Sequence, residues 1–477
     1  MSKTVVDVWV ADLTFPGYMD RWRKLGEEFN AKHPDYQVNV EGKDFRLFPV
    51  DIARAAAEGK PPAVAEYYFY LVHQARDSIK PDGSPLFVPV EEAVAGREEI
   101  LGEPNILPDL VAAGREYYSL NGVLTSVPSV GTTSLLYANL DMLERAGVTQ
   151  LPVTWDEVTA ACEAIAGGPN PPEKPITWSN HGTFFQQAVA SQGGLLVNND
   201  NGRSARATQA DMSSKEMLTF VKWWQQLHAD GHYLYTGKIP DWENTYKAFS
   251  DKRVAIRISS SNDVNYMVHA AKSGEFPIGV GIFPFNGNAP YHGNAIAGTS
   301  LCLTAGLDKA TEDGALAFLM FAHNPENDAN RHRFNSFWPV THAGYDLLER
   351  EGWFEQHPYH RVASDHVMKF PPSALVDERV ATLGVPPSTG AMIPDFATNQ
   401  DIMTNAMGDV LAKGADADER FAEATIEAQQ AIETYERNIA GTGPVTEETL
   451  RVEYFRDAEW YSGMDLENVQ QLDYDGK

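Results

Sequence analysis

The stretch Asn121 to Gly147, NGVLTSVPSVGTTSLLYANLDMLERAG, constrains the fold of this chain more than any other. It opens on an Asn-Gly turn, and Val123 to Val127 then reads as a strand. Pro128 ends that strand, because a proline takes a donor out of the ladder. Ser129 to Ser134 is small and rich in hydroxyls, and Leu135-Leu136-Tyr137 starts a second strand. Asp141 to Ala146 reads as a helical turn closed by Gly147. Two extended pieces, joined by a run with no core of its own, describe a chain passing from one lobe to another. The small polar residues between them are placed to line a cleft.

A chain of 477 residues exceeds one ordinary core, so two or three compact units are expected. With 43% hydrophobic and 22% charged residues the composition is that of a folded protein. No apolar run reaches about 18 residues, so no transmembrane helix is expected. The net charge of −28 argues against nucleic acid as a partner, since phosphate contacts need clustered Lys and Arg. Cys162 sits in a helical pattern and Cys302 in an apolar strand, and both read as buried thiols rather than a disulfide. The N-terminus has no apolar signal core and no lipid-acceptor Cys. The expectation is either a cytoplasmic chain or a mature form whose export signal was removed and a Met added.

Along the chain, Thr4 to Val10 is a β-rich run, and Met19, Trp22, Leu25 and Phe29 recur at helical spacing. Tyr36 to Val40 alternates as a second strand, Asp51 to Glu58 is Ala-rich helix, and Ala63 to Leu71 is a third strand. This order predicts an α/β lobe with a largely parallel sheet. Thr154-Trp155-Asp156-Glu157 is a capping box opening a helix to about Ala166. Met217, Phe220, Val221, Trp224 and Leu227 share a helix face. Arg253 to Ile258 is a strand running into Ser259-Ser260-Ser261-Asn262. Ala297 to Thr304 reads as a return crossing and Asn335 to Val340 as a third link. Phe421, Thr425, Ala428, Ile432, Tyr435 and Ile439 mark the last strong helix, and the tail beyond Gly441 is acidic and aromatic.

Several of these segments, in this order, resemble the larger solute-binding proteins of bacterial ABC importers. Within that sugar-binding family they are closest to the glycerol-3-phosphate-binding type. The resemblance rests on FNAKHPDY, GKPPAV, GVLTSVP followed by LLYAN, TWDEV, KAFSDKRVAIRISSS, GNAIAGTSLCLT and FWPVTHAGYDLLEREGWFEQHP, and it covers most of residues 4 to 440. It implies an α/β, two-lobed periplasmic-binding-protein fold (type II-like), with three inter-lobe crossings and a ligand cleft that closes by hinge motion. The lobes are expected to be residues 1–130 with 295–338, and 131–294 with 339–440, followed by an acidic C-terminal tail over 441–477. It also implies a non-enzymatic, extracytoplasmic monomer, periplasmic or a membrane-anchored lipoprotein, that hands its solute to a membrane permease and needs no cofactor.

The resemblance also points to site residues. The family's phosphate-binding Arg falls on Met392 of Ser388 to Pro394, so the strongest phosphate contact is replaced. A Tyr-Glu pair that holds glycerol hydroxyls falls on Tyr68-Phe69, and a Tyr of the third crossing falls on Phe337. Trp178, Thr132, Thr133, Ser260 and Ser261 are kept. The pocket is thus expected to be retuned toward a neutral ligand with more aromatic surface.

Read as residues, a sugar needs aromatic platforms for its C–H faces and fixed polar groups for its hydroxyls. Trp178 is either a platform or a core residue. Tyr68 and Tyr70 share one side of a strand, opposite Tyr67 and Phe69, and are chosen for the cleft. Trp338 precedes a proline in a crossing, which favours the cleft. His292 and Asn294 lie just before the second crossing and either donate to hydroxyls or sit in a solvated turn. Trp242 is read as structural or surface. His357, His360 and His366 read as a surface loop, and no residue is assigned to a metal. No Walker A, GxGxxG or GxSxG sequence occurs, and no carboxylate pair stands out as catalytic.

The expected function is capture of a neutral mono- or oligosaccharide by lobe closure. The alternatives are a glycerol-phosphate or glycerophosphodiester ligand, with Lys369 or Arg379 as the replacement cation, and a carbohydrate-active enzyme.

Overall fold

The computed structural model describes residues 3–13, 17–45, 47–368 and 388–442. Lys369, Arg379 and the acidic tail from residue 443 onward lie outside the described residues.

Two sheets frame the molecule. In the first, Thr4–Asp12 pairs in parallel with Tyr36–Asp44 on one side and Val64–Tyr68 on the other. Ala297–Thr304 then lies antiparallel to Val64–Tyr68. Its far edge meets Val127–Thr132 and then Phe87–Val88, both antiparallel. The sheet is therefore mixed rather than largely parallel, because Ala297–Thr304 re-enters from the other lobe instead of following a crossover helix. The second sheet runs in the order Lys174–Thr177, Val254–Ser260, Ser134–Asn139, Ile278–Ile282, and only its first pair is parallel.

The helices follow the apolar spacing of the sequence. Tyr18–Lys32 buries Met19, Trp22, Leu25 and Phe29 against the first sheet. Lys215–Ala229 buries the expected five apolar residues in the second lobe. Trp155–Gly167 opens on the Thr154/Glu157 capping box. The Phe396–Lys413 and Ala417–Thr442 helices pack on the second lobe through the helices Gly182–Ser191 and Lys215–Ala229. Cys162 and Cys302 are buried free thiols.

The crossings are tighter than the sequence suggests. Pro128 does not end the first strand. Val127–Thr132 pairs with Ala297–Thr304 across a register shift, so that Pro128 faces Ser300 and Val130 faces Thr299. A bulge of this kind tolerates the missing proline donor. The hydroxyl run is thus strand, with Thr133 alone between the two sheets.

Gly131 and Gly298 face each other where the first and second crossings pair. A Cβ at Gly131 would run into the Trp338 ring of the third crossing, and Trp338 N donates to Gly131 O at 3.1 Å. Gly298 has φ 144°, and a Cβ there would strike the Val130 carbonyl. All three crossings are therefore in contact through two residues that cannot carry a side chain. Gly131→Ala is expected to lower stability by about 1–3 kcal/mol, the usual cost of overpacking, read from denaturant unfolding. An unchanged midpoint would mean that the Trp338 ring moves aside freely.

Candidate ligand-binding cleft

Between the lobes lies a void of about 710 Å³, its open mouth included. That is within the range of small-molecule sites. The first lobe contributes Leu13, Phe45, Tyr68, Phe69 and Phe337. The crossings contribute Val130, Thr132, Thr133, Ser134, Ala297 and Gly298. The second lobe adds His181, Thr183, Gln187, Trp242, Ser260 and Asn262.

Each residue reaches the cleft for a local reason. Val64–Tyr68 ends at the cleft in a 3-10 turn, Phe69–Leu71, which turns both Tyr68 and Phe69 to one site although they neighbour in sequence. Ser336, at φ 59°, ends the helix Pro325–Asn335 and delivers Phe337. Ser260 and Asn262 lie where Val254–Ser260 passes into a short 3-10 turn. His181 caps the helix Gly182–Ser191, its Nδ1 accepting from Thr183 N at 3.1 Å. Thr183 and Gln187 follow on one face of that helix, four residues apart.

Among the described residues, the lining carries no Asp, Glu, Lys or Arg. Its one titratable imidazole stays neutral: burial pushes His181 down to about 4. With Nδ1 occupied as an acceptor, the proton of the neutral ring sits on Nε2. The walls are aromatic and the floor carries hydroxyls and amides, a surface suited to a neutral polar solute.

The structure brings Tyr68, Phe69, Thr132, Thr133, Ser260 and Phe337 together in the lining. The other expected residues lie elsewhere. Trp178 is 1% exposed, stacked on Trp223 and tilted against Trp224 and Tyr233 in the core of the second lobe. An aromatic-rich helix face captures it before it can reach the cleft. Tyr70 is buried behind Tyr68 and Phe69, because the 3-10 turn breaks the alternation of the strand. Trp338 is buried over Gly131. Ser261 is buried and ties the first crossing, its Oγ accepting from Thr133 N at 3.1 Å. His292 is exposed against Gly193, and Asn294 is fully buried with its Oδ1 accepting from Tyr291.

Met392 is buried and meets Arg76, whose Nη1 stands 2.7 Å from its sulfur. Arg203 holds the same turn through the carbonyls of Thr389 and Gly390, and reaches the Tyr117 carbonyl of the first lobe at 2.9 Å. Two cations from distant segments thus converge where the sequence shows only Met392, though neither lines the void. His357 and His360 are buried beside Trp353 rather than in a surface loop. Among the described residues no group of His, Cys, Asp and Glu is arranged to hold a metal.

Sequence reasoning missed His181, Thr183, Gln187, Trp242 and Asn262. The available signal was the pair of polar positions at helical spacing in GTFFQQAVAS, an otherwise apolar segment. Trp242 starts the helix Trp242–Ser250 at the cleft and packs against His181, with ring centroids 5.2 Å apart.

Beside the cleft the lobes share an ionic contact. Asp77 of the first lobe accepts from Arg206 Nη1 at 2.7 Å and Nη2 at 3.0 Å, from Tyr435 at 2.8 Å, and pairs with His73. Burial pushes the Asp77 carboxyl up, but the hydrogen bonds and charges of His73 and Arg206 outweigh it and hold it well below the usual carboxylate range.

The two-lobed α/β frame, with a cleft at three crossings, defines a periplasmic-type solute-binding protein. Residues 24–359 match the family described as bacterial extracellular solute-binding protein, and the chain belongs to that family. It is similar to the sn-glycerol-3-phosphate-binding periplasmic protein UgpB of Yersinia pseudotuberculosis, 27% identical over 363 residues, 73% of this chain and 77% of that one. The Escherichia coli O1:K1 protein of the same name is 26% identical over 358 residues, with the same coverage of both chains.

Three solved structures are similar in fold. The sugar-binding protein MalE of Xanthomonas citri has TM-score 0.69 at 16% identity, covering 92% of this chain and 100% of that one. The cyclic α-maltosyl-1,6-maltose binding protein of Arthrobacter globiformis has TM-score 0.68 at 19% identity, with the same coverage. UgpB of Mycobacterium tuberculosis, in complex with glycerophosphocholine, has TM-score 0.65 at 18% identity, again with that coverage. The chain is accordingly a solute-binding component of an ABC importer, a class that binds small molecules and delivers them to membrane permeases. No helix among the described residues is long and apolar enough to cross a membrane.

Two expectations follow. Trp178→Ala should cost about 3–5 kcal/mol of stability, as large aromatic truncations in a core do. A variant of unchanged stability but weakened solute binding would return Trp178 to the cleft. For Asp77, the folded carboxyl titrates below its unfolded value near 3.9. Its contribution is present above that value and is lost as pH falls through the folded one. Asp77→Asn should lower stability at pH 7 by about 1.5–3 kcal/mol, and the gap to the parent should narrow between about pH 4 and pH 2. A gap constant over that range would show that Asp77 carries no ionic contact.

Proposed function

We propose that the chain captures a neutral carbohydrate, a mono- or oligosaccharide, by closing its lobes over the ligand, and serves an importer as a non-enzymatic, extracytoplasmic monomer. The observation that carries this reading is the lining: five aromatic side chains, hydroxyls and amides, and no charged side chain among the described residues. Aromatic faces take the C–H surfaces of a sugar, and the polar groups take its hydroxyls. Phe69 and Phe337 supply apolar surface where the resemblance places a carboxylate and a phenol. We take the lobes to divide at 130/131, 294/295 and 338/339.

A second reading, a glycerophosphodiester ligand, is favoured by the UgpB relatives and by Arg76 and Arg203 at the Thr389–Met392 turn. Arg203 is held by backbone carbonyls, whereas Arg76 meets only the Met392 sulfur and keeps Nε and Nη2 buried without a partner. Neither cation reaches the lining, so this reading needs that turn to rearrange. An enzymatic role has less support. Glu66, the buried carboxylate in the strand leading to Tyr68, is occupied by Ala11 N, Thr299 and Tyr18.

A thermal-shift panel of maltose, trehalose, larger maltooligosaccharides, glycerol 3-phosphate and glycerophosphocholine tests the choice. A ligand at a hundred times its Kd stabilises the folded state by about 2.7 kcal/mol, a visible shift. Stabilisation by a neutral saccharide alone supports the proposal. Stabilisation by the phosphate compounds alone overturns it in favour of the second reading.

A further inference from the structure

Gln187 is 2% exposed, lies in the helix Gly182–Ser191 and lines the cleft. Its Nε2 donates to the backbone carbonyl of Ala295, in the second crossing. A carbonyl only accepts, so the amide cannot be turned the other way round. The side-chain oxygen Oε1 is therefore the end directed away from Ala295, and it is buried without a protein partner. A buried acceptor left bare costs about 1–3 kcal/mol, and Oε1 has no open surface of its own in this conformation, so any shift of the Gln187 amide that lets a ligand proton reach it is favoured. The same Ala295 carbonyl accepts from Thr133 Oγ1 at 3.1 Å, in the first crossing. Six residues before Gln187, His181 has its Nδ1 committed to Thr183 N and its Nε2–H remaining as a donor in the lining.

We propose that Gln187 and His181 form the hydroxyl-reading subsite of the cleft, Gln187 Oε1 accepting from a ligand hydroxyl and His181 Nε2–H donating to a hydroxyl oxygen. This rests on the cleft being the solute site, and it names the group that the second lobe selects. A hydroxyl both donates and accepts, so it satisfies both side chains. A phosphodiester or carboxylate oxygen carries no proton at neutral pH and leaves Oε1 bare. The subsite thus takes the hydroxyl of a sugar or of a glyceryl group, and it excludes the anionic end of any phosphate-bearing ligand. Through Ala295 it also ties the bound hydroxyl to two of the three crossings.

The test is calorimetric titration of the parent protein and of Gln187→Met, an unbranched apolar side chain of similar length. The probes are maltose, trehalose and glycerophosphocholine, each with analogues in which one hydroxyl is replaced by fluorine. Carbon-bound fluorine can accept weakly and cannot donate. In the parent, one fluorinated position of the bound probe should lose at least about tenfold in affinity, equivalent to about 1.4 kcal/mol. In Gln187→Met the same fluorination should cost less than about threefold. Equal losses in the two proteins overturn the assignment to Gln187. A parent that loses nothing at any fluorinated position overturns the subsite without reference to the variant, whether or not the variant folds. Binding of maltose or trehalose identifies a sugar hydroxyl, and binding of glycerophosphocholine alone identifies a glyceryl one. If none of the three probes binds the parent, the proposed function fails together with this subsite, whereas binding without a fluorine effect fails the subsite alone.

Discussion

The contact of the three crossings at Gly131 and Gly298 is the constraint on which the cleft depends. Gly131 lies under the Trp338 ring and bonds its amide, while Gly298 lies against the Val130 carbonyl. Nothing larger than hydrogen fits between these backbones, so the segments that leave one lobe and enter the other run as one packed unit. Thr132, Thr133, Ala297, Gly298 and Phe337 reach the cleft because they flank this contact.

Beneath that unit, Glu66 fixes the first lobe. It is fully buried and accepts from Ala11 N at 2.9 Å and from Thr299 Oγ1 at 2.5 Å. Burial raises its carboxyl above the ordinary range, against the lowering effect of those hydrogen bonds. Its oxygens join the first strand and the second crossing to the strand that ends at Tyr68 and leads into the turn of Phe69. The carboxylate therefore positions the aromatic wall and does not itself line the cleft. On the second lobe the Gly182–Ser191 helix plays the matching role, holding His181, Thr183 and Gln187 in one lining.

The lobes also meet outside the lining. Asp77 meets Arg206 and Tyr435 across the lobes, and Phe69 meets Phe396 with ring centroids 6.0 Å apart. Opening the cleft would expose an Asp77 that is now largely withdrawn from water, together with the edge of an aromatic wall. The ionic contact and the cleft lie at the two ends of one short segment, Phe69 to Asp77.

Local sequence signals alone set the elements and their grouping. Apolar spacing at 3.6 residues located the helices of Trp22 and Trp224, the capping box at Thr154 marked its helix start, and the resemblance carried the two lobes and the crossing at 121–147. These are local or collinear signals, and they survive whatever the chain does elsewhere. Membership of the lining was legible where a residue flanks a crossing, as Thr132, Thr133 and Phe337 do, or ends a strand, as Tyr68 and Ser260 do. Trp178 and Met392 were drawn away from it by partners far along the chain, Trp223 and Tyr233 for the one and Arg76 for the other, and Tyr70 by the local 3-10 turn that contains it. Gln187 and His181 entered it for the converse reason, because the free atom on each is defined by what the other end bonds. Which atom of an amide or imidazole faces a cleft depends on a carbonyl or amide brought close by folding, and no spacing in the sequence records that.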